Sequence, residues 1–115
     1  MNFYSARLSF VILVDDKRPR KTHTWDDVVV VFRAPDFDQA FAKLLEIGRS
    51  HETEYLNSEQ QKVRWALVRV EGLDLVGKRI DGTEVASQLS RRRSKKAIPF
   101  HTRFYPERSR PSVSF

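Results

Sequence analysis

Apolar and polar residues alternate along the first part of the chain. Between Tyr4 and Val14 every even position is apolar, whereas Ser5, Arg7 and Ser9 occupy odd positions. A period of two residues is typical of a β-strand that buries one face. The pattern therefore predicts a strand that begins near the N-terminus.

A second strand is predicted where the next long apolar run begins. Residues 15–24 are mostly polar and include Pro19, which is typical of a loop. They lead into residues 25–34, a valine-rich run with strong β propensity. We expect the two strands to pair antiparallel.

A helix is predicted immediately after Pro35. Asp36, followed three residues later by Gln39, has the form of a capping box, which satisfies free backbone N–H groups of a first helical turn. Apolar residues then recur at helical spacing on one face. That face consists of Phe37, Ala40, Phe41, Leu44, Leu45 and Gly48. The helix is expected to end within residues 49–52.

Two further strands are predicted beyond the helix. A turn at residues 57–58 precedes a β-rich segment, residues 62–76, in which the alternation changes phase. A bulge near residues 66–68 would reconcile the two phases. The Asp-Gly pair at residues 81–82 signals a turn before a short final strand, residues 83–89. The order ββαββ predicts a single α+β domain, with a mostly antiparallel sheet and one helix on one face.

The sheet face away from the helix is predicted to be apolar. Such a face is unfavourable in water, so we expect something to cover it. The candidates are a second copy of the domain, a different protein, or the C-terminal segment folding back with Phe100, Phe104, Tyr105 and Phe115. The residues expected on this face, and at a protein interface there, are Phe3, Val11, Leu13 and either Val29 and Val31 or their neighbours.

Positive charge is concentrated at the C-terminal end. Residues 91–115 carry a net charge of +7, whereas residues 1–90 carry −1. This asymmetry predicts an α+β domain of residues 1–90 and a basic, aromatic-containing tail of residues 91–115. Clustered cations contact phosphates and neighbouring rings stack on bases, so the tail is a candidate nucleic-acid-binding segment. Its candidate contact residues are Arg91, Arg92, Arg93, Lys95, Lys96, Arg103, Phe104 and Tyr105.

Composition narrows the class of protein. The chain has no cysteine, which excludes disulfides and thiolate metal sites and is compatible with a reducing compartment. The longest apolar runs are five residues, whereas a membrane-spanning helix needs about twenty. We therefore expect a cytoplasmic protein without a membrane partner.

Three groups of residues have the composition of chemical sites but not their context. The segment of residues 72–78 has the spacing of a phosphate-binding loop, yet Arg79 stands in place of the magnesium-binding hydroxyl and the intervening residues favour a strand. Three histidines are scattered along the chain without ligand spacing. Four aspartates, Asp15, Asp16, Asp26 and Asp27, are balanced by nearby cations. Within each adjacent pair the two side chains point to opposite faces of a strand, so they cannot converge on one ion. We predict no catalytic site, no metal and no small-molecule cofactor.

Short motifs in a fixed order resemble a small bacterial family of domains of unknown function. The family opens with an aromatic-Tyr-Ser-Ala-basic-Leu strand, which corresponds to residues 3–8. Its later motifs correspond to Ala34 and Asp36, Tyr55 and Asn57, Val63 and Trp65, and Asp-Gly-Thr-Glu-Val at residues 81–85 followed by Ser87. Ala86 stands where the family has a large residue, and the basic extension is atypical. The resemblance covers residues 3–89 and implies a small α+β fold without a stated activity.

Three functional hypotheses follow. The first is a non-enzymatic binding module that uses the open sheet face for a protein partner or for a homodimer. The second is a nucleic-acid-binding protein that acts through the basic tail. The third, a bacterial immunity or antitoxin-like protein, rests on size and on the family resemblance.

Overall fold

A computed structural model describes residues 1–16, 18–78 and 87–114. The elements in chain order are β1 (Asn2–Val14), β2 (Arg20–Ala34), α1 (Phe37–Ser50), β3 (Thr53–Leu56), β4 (Lys62–Gly77), β5 (Ser87–Ile98), a 3-10 helix (Pro106–Arg108) and β6 (Ser112–Ser114). The sheet order is β3-β4-β1-β2-β5, with antiparallel neighbours throughout, and β6 adds a short parallel pairing to β4. The predicted α+β class is confirmed.

Strand β1 lies at the centre of the sheet because both of its edges are paired. Leu8 pairs with Val28 of β2 on one side and with Val70 of β4 on the other. The predicted antiparallel hairpin of β1 and β2 is confirmed, although β2 begins at Arg20, inside the segment predicted to be a loop. The even-numbered side chains Tyr4, Ala6, Leu8 and Phe10 are buried, as the alternation predicted.

The predicted bulge in β4 is also confirmed. Ser9 pairs with Arg69 and Phe10 pairs with Leu67, so Val68 is an extra residue on β4. Val68 packs with the apolar cluster on the face opposite the helix, whereas Leu67 belongs to the cluster beneath it. The bulge therefore changes the phase of the alternation while both parts of β4 keep apolar residues inward.

Helix α1 begins and ends within the predicted limits. The Asp36 carboxylate accepts hydrogen bonds from the Gln39 backbone N–H at 2.8 Å and from the Gln39 side-chain amide at 3.2 Å. Its inward face buries Ala40, Leu44 and Gly48 against the sheet. We call this side of the sheet the helix face and the other side the opposite face. Among the described residues, no helix has the length and apolar character needed to cross a membrane.

Strand β3 was not predicted. All four residues of Thr53–Leu56 are exposed, so the sequence has no buried alternation there. The following turn was predicted correctly. The side-chain oxygen of Asn57 accepts hydrogen bonds from the backbone N–H groups of Glu59 and Gln61, both at 2.9 Å.

Strand β5 extends far beyond the predicted end of the last strand. The predicted start at residues 83–86, and the Asp-Gly turn before it, lie outside the described residues. The strand pairs with β2 in regular register from Ser87, opposite Val28, to Arg93, opposite Thr22, and after a register shift Ile98 lies opposite Arg20. The boundary predicted at residue 90 thus falls inside a strand, because backbone pairing with β2 orders a segment that has no apolar alternation.

Residues 99–111, which we call the strap, cross the opposite face after β5. Phe100 is only 8% exposed and packs in one cluster with Val11, Leu13, Trp25 and Ala66. The strap reaches the outer edge of β4, where Ser109 Oγ accepts a hydrogen bond from a β4 backbone N–H at 3.0 Å. The chain then pairs with β4 as β6. The sequence leaves three candidates for covering this face. The structure shows that the C-terminal segment folds back over the part of the face that Phe100 contacts.

Candidate nucleic-acid interface

The five basic residues of the 91–96 cluster belong to an edge strand. All five are exposed and lie in β5, the edge strand at one end of the sheet: Arg91, Arg92, Arg93, Lys95 and Lys96. Successive side chains of a strand point to opposite sides, so Arg91 and Arg93 share one side and Arg92 lies on the other. Arg91, Arg92 and Arg93 pair with residues of β2, and the pairing resumes at Ile98 beyond Lys95 and Lys96, so the cluster is tied to the sheet on both sides.

A second basic segment meets this strand. Thr22 pairs with Arg93, and the Ser94 hydroxyl donates a hydrogen bond to the Lys21 carbonyl oxygen at 3.1 Å, which brings Lys21 beside β5. We call Lys21, Arg91, Arg93, Lys95 and Lys96 the basic edge. Among the described residues, none of these five cations forms an ion pair. From the sequence, Lys21 was expected in a loop whose positive and negative charges balance. Strand pairing instead places it beside the C-terminal cluster.

Arg92 is held away from the basic edge by contacts on the opposite face. Its guanidinium forms an ion pair with Asp27 and lies 5.6 Å from the centroid of the Trp25 ring. On the far side of Asp27, the buried Ser9 Oγ lies 3.0 Å from Asp27 Oδ1 and 3.0 Å from Glu71 Oε1. Arg69 Nε lies 2.9 Å from the same Glu71 oxygen. Arg92 is therefore one end of a polar row across four strands, with its charge compensated inside the protein.

The other candidate contact residues lie on the strap. Arg103 and Arg108 place their guanidinium carbons 5.2 Å and 4.3 Å from the centroid of the Tyr105 ring. Tyr105 is 42% exposed. Phe104 is half-buried, packs with the opposite-face cluster and lies 5.9 Å from the Arg64 guanidinium carbon. The strap therefore exposes a cationic aromatic group at Tyr105, whereas Phe104 is part of its anchor.

The residues predicted for a protein interface do not form one open surface. Val11 and Leu13 are 0% and 1% exposed and lie in the cluster that Phe100 completes, so they are not available to a partner. Phe3, Val29 and Val31 are half-buried, and Phe115 lies outside the described residues. Val11 and Leu13 are therefore covered by a segment distant in sequence, which is one of the three coverings expected for this face.

The residues that resembled other chemical sites are dispersed or structural. Asp16 pairs with Arg20, whereas Asp27 contacts Ser9 and Arg92, so the aspartates do not converge. Within the described ranges, no group of three or more His, Asp or Glu side chains is arranged to hold a metal ion. The segment with phosphate-loop spacing lies in β4 up to Gly77, as its apolar residues predicted.

An open groove lies at the other border of the sheet, lined by Glu52, Thr53, Glu54, Arg64 and Trp65. The Trp65 indole N–H lies 3.4 Å from the hydroxyl of Tyr55, which is 46% exposed. Trp65 is half-buried because it lies where β4 meets the exposed β3. The groove has one exposed acid, Glu54, and one half-buried acid, Glu52, and it is remote in the sheet order from the basic edge.

His23 is a buried polar residue next to this basic region. Its Nε2 donates to the Arg20 carbonyl oxygen at 2.7 Å, and burial is the main reason that the pKa of His23 is lowered. A lowered folded-state pKa means that protonation favours the unfolded chain.

We expect a loss of stability as the pH falls below about 6.5, the ordinary His pKa, and through the lower folded-state value. Urea unfolding at pH 7.5 and 5.5 should show a larger decrease for the natural chain than for His23→Gln. Equal decreases in both proteins would contradict this prediction.

Comparison with known proteins gives a family without an assigned activity. A sequence model of the family described as "Domain of unknown function (DUF4288)" matches residues 3–87. No curated protein and no solved structure shows a significant match to the chain. The match includes β1 to β4 and ends at the first residue of β5, so the basic cluster and the strap lie beyond it. Because the match spans most of the chain, the protein belongs to the DUF4288 family of domains of unknown function.

Proposed function

We propose that this protein binds nucleic acid through the basic edge. The observation that carries the proposal is the arrangement of Lys21, Arg91, Arg93, Lys95 and Lys96, five neighbouring cations on a border of the sheet without ion pairs among the described residues. Cations that are not neutralised internally release counterions when they contact phosphates, and this release supplies most of the non-specific affinity for nucleic acid.

Backbone geometry supports contact with a phosphate chain. Side chains on the same side of a regular strand are about 6.6–6.8 Å apart, twice the rise per residue, so Arg91 and Arg93 are neighbouring cations on one side of β5. Lys95 and Lys96 follow them in the irregular stretch between the pairs Thr22–Arg93 and Arg20–Ile98. Pairing with β2 at Arg91, Arg93 and Ile98 limits the motion of this segment, so less conformational entropy is lost on binding than for a free tail. A binding role through the sheet face is supported less well, because Val11 and Leu13 are covered by the strap.

Charged side chains at a sheet edge also have a structural role, because they oppose pairing with the edge of another molecule. The two roles predict different results. If the charges only protect the edge, replacing them should promote self-association and leave nucleic-acid affinity no lower than that of an equally charged control.

The test is a fourfold substitution of Arg91, Arg93, Lys95 and Lys96 by Gln. Fluorescence anisotropy with a labelled oligonucleotide, measured over a range of salt concentrations, should show weaker binding. The slope of log K against log salt should fall by about three, since each phosphate contact contributes roughly 0.7–0.9.

A matched control removes four cations elsewhere, Arg33, Lys62, Lys78 and Arg110, all exposed and without ion pairs within the described residues. Both variants have the same net charge, so an effect of net charge alone would be equal in the two. Equal binding and equal salt slopes for the two variants would overturn the proposal. Sedimentation velocity on both variants separates lost binding from self-association.

A further inference from the structure

We infer that the nucleic acid this protein takes is single-stranded, and that Tyr105 with Arg103 and Arg108 is a second contact site at which an unpaired base stacks. The inference rests on the proposed function and adds the class of ligand. The supporting observation is the exposed ring of Tyr105. Within the described strap it is the only exposed ring with two guanidinium groups beside it, at 5.2 Å and 4.3 Å from its centroid.

The chemistry of this group suits an unpaired base. Bases in single strands stack on aromatic rings and on the planes of arginine guanidinium groups, and stacking tolerates any sequence because every base has a π face. Bases inside a duplex are already stacked and are not accessible in this way. Among the described residues neither Arg103 nor Arg108 forms an ion pair, so both charges remain available to phosphates next to a stacked base.

The position of Tyr105 is held by the parts of the strap on either side of it. Before it, Phe104 packs on the opposite-face cluster. After it, Glu107 accepts from Arg49 at 2.9 Å and Ser109 accepts from the Val70 backbone N–H at 3.0 Å. The exposed ring is therefore fixed between two anchored segments, which lowers the entropy cost of stacking on it.

The second site lies within reach of the basic edge. The strap follows directly after Ile98, so Tyr105 is seven residues beyond the end of β5. Seven residues span at most about 25 Å. A single strand of about 15 nucleotides, at the upper end of the site size of many single-strand-binding domains, can contact the basic edge and Tyr105 together.

The experiment compares Tyr105→Ala, Tyr105→Phe and Tyr55→Ala in the full chain. Tyr55 is the matched control because its exposure, 46%, is close to the 42% of Tyr105 and it lies at the other border of the sheet. The probes are a labelled single-stranded oligonucleotide of about 15 nucleotides and the duplex of the same sequence. Circular dichroism confirms that each variant is folded.

Tyr105→Ala should weaken binding of the single strand by roughly 5- to 150-fold, the range for loss of one stacked base, and leave duplex binding nearly unchanged. Tyr105→Phe and Tyr55→Ala should bind the single strand like the natural chain. Equal affinity of the natural chain for both probes, or an unchanged single-strand affinity of Tyr105→Ala, would overturn the inference. The fourfold basic-edge substitution reports on the proposed function separately, because it should weaken both probes even if Tyr105 has no part in binding.

Discussion

A chain that ends after Ser90 is expected to lose the native fold. The truncation removes most of β5, the strap and β6, which together pair with β2 and with β4. It also uncovers the opposite-face cluster, whose buried members on the sheet are Val11, Leu13, Trp25 and Ala66. Deleting one large buried side chain costs about 3–5 kcal/mol, and small domains have about 5–15 kcal/mol of stability in total. The stabilisation lost with the Phe100 ring and with a strand should therefore exceed the free energy of unfolding that the remaining sheet can provide.

Thermal unfolding followed by far-ultraviolet circular dichroism is the measurement. The truncated chain should show no cooperative transition and should bind a hydrophobic dye at room temperature. A chain ended after Ile98 is the control, since it keeps β5 and loses only the strap and β6; it should retain more structure than the shorter chain. A cooperative transition in the chain of residues 1–90, with native-like circular dichroism, would show instead that this part folds alone, as the charge distribution predicted.

The elements that were predicted correctly are those in which buried residues recur at a regular spacing along the sequence. Strand β1 buries Tyr4, Ala6, Leu8 and Phe10 at alternate positions, and α1 begins with a capping box, so these residues are sufficient to identify each element. The bulge at Val68 was predictable for the same reason, because the apolar alternation of β4 changes phase there.

The parts that were missed are ordered by partners distant in the chain. Residues 91–96 are polar and basic, and they form a strand because β2 offers an unpaired edge, not because a face of β5 is buried by its own sequence pattern. Strand β3 is exposed throughout and depends on β4 in the same way. Edge pairing of this kind produces little regular spacing of apolar residues. A basic edge strand therefore cannot be distinguished from a basic tail by composition.

The candidate site was predicted in its residue types but not in its arrangement. Most of the proposed contact residues were identified from charge and aromatic content, but Lys21 and Arg108 were not. The internal pairing of Arg92 with Asp27 and the addition of Lys21 required the register of β2 and β5. The strap explains why Phe104 and Tyr105, adjacent in sequence, have different roles: one faces the cluster and the other faces solvent.

Phe100→Ala is expected to lower the free energy of unfolding by about 3 kcal/mol, at the lower end of the range for buried phenylalanine because the ring retains 8% exposure. The ring completes the opposite-face cluster, and the surrounding residues lie on three different strands of a rigid sheet, so they cannot collapse into the cavity. Urea denaturation at neutral pH measures the change as a shift in midpoint at constant slope.

Two companion variants separate the ring from the rest of the strap. Phe104→Ala removes a half-buried ring and should cost clearly less, about 1 kcal/mol. Arg64 donates to the carbonyl oxygens of Phe100 and Thr102 at 3.0 Å and 2.7 Å, so Arg64→Ala should be destabilising, and its effect should be smaller in a chain that already carries Phe100→Ala. Such coupling is expected because the guanidinium and the ring hold the same segment against the sheet. Additive effects, or equal costs for the two phenylalanine substitutions, would mean that the strap is not held as one unit at Phe100.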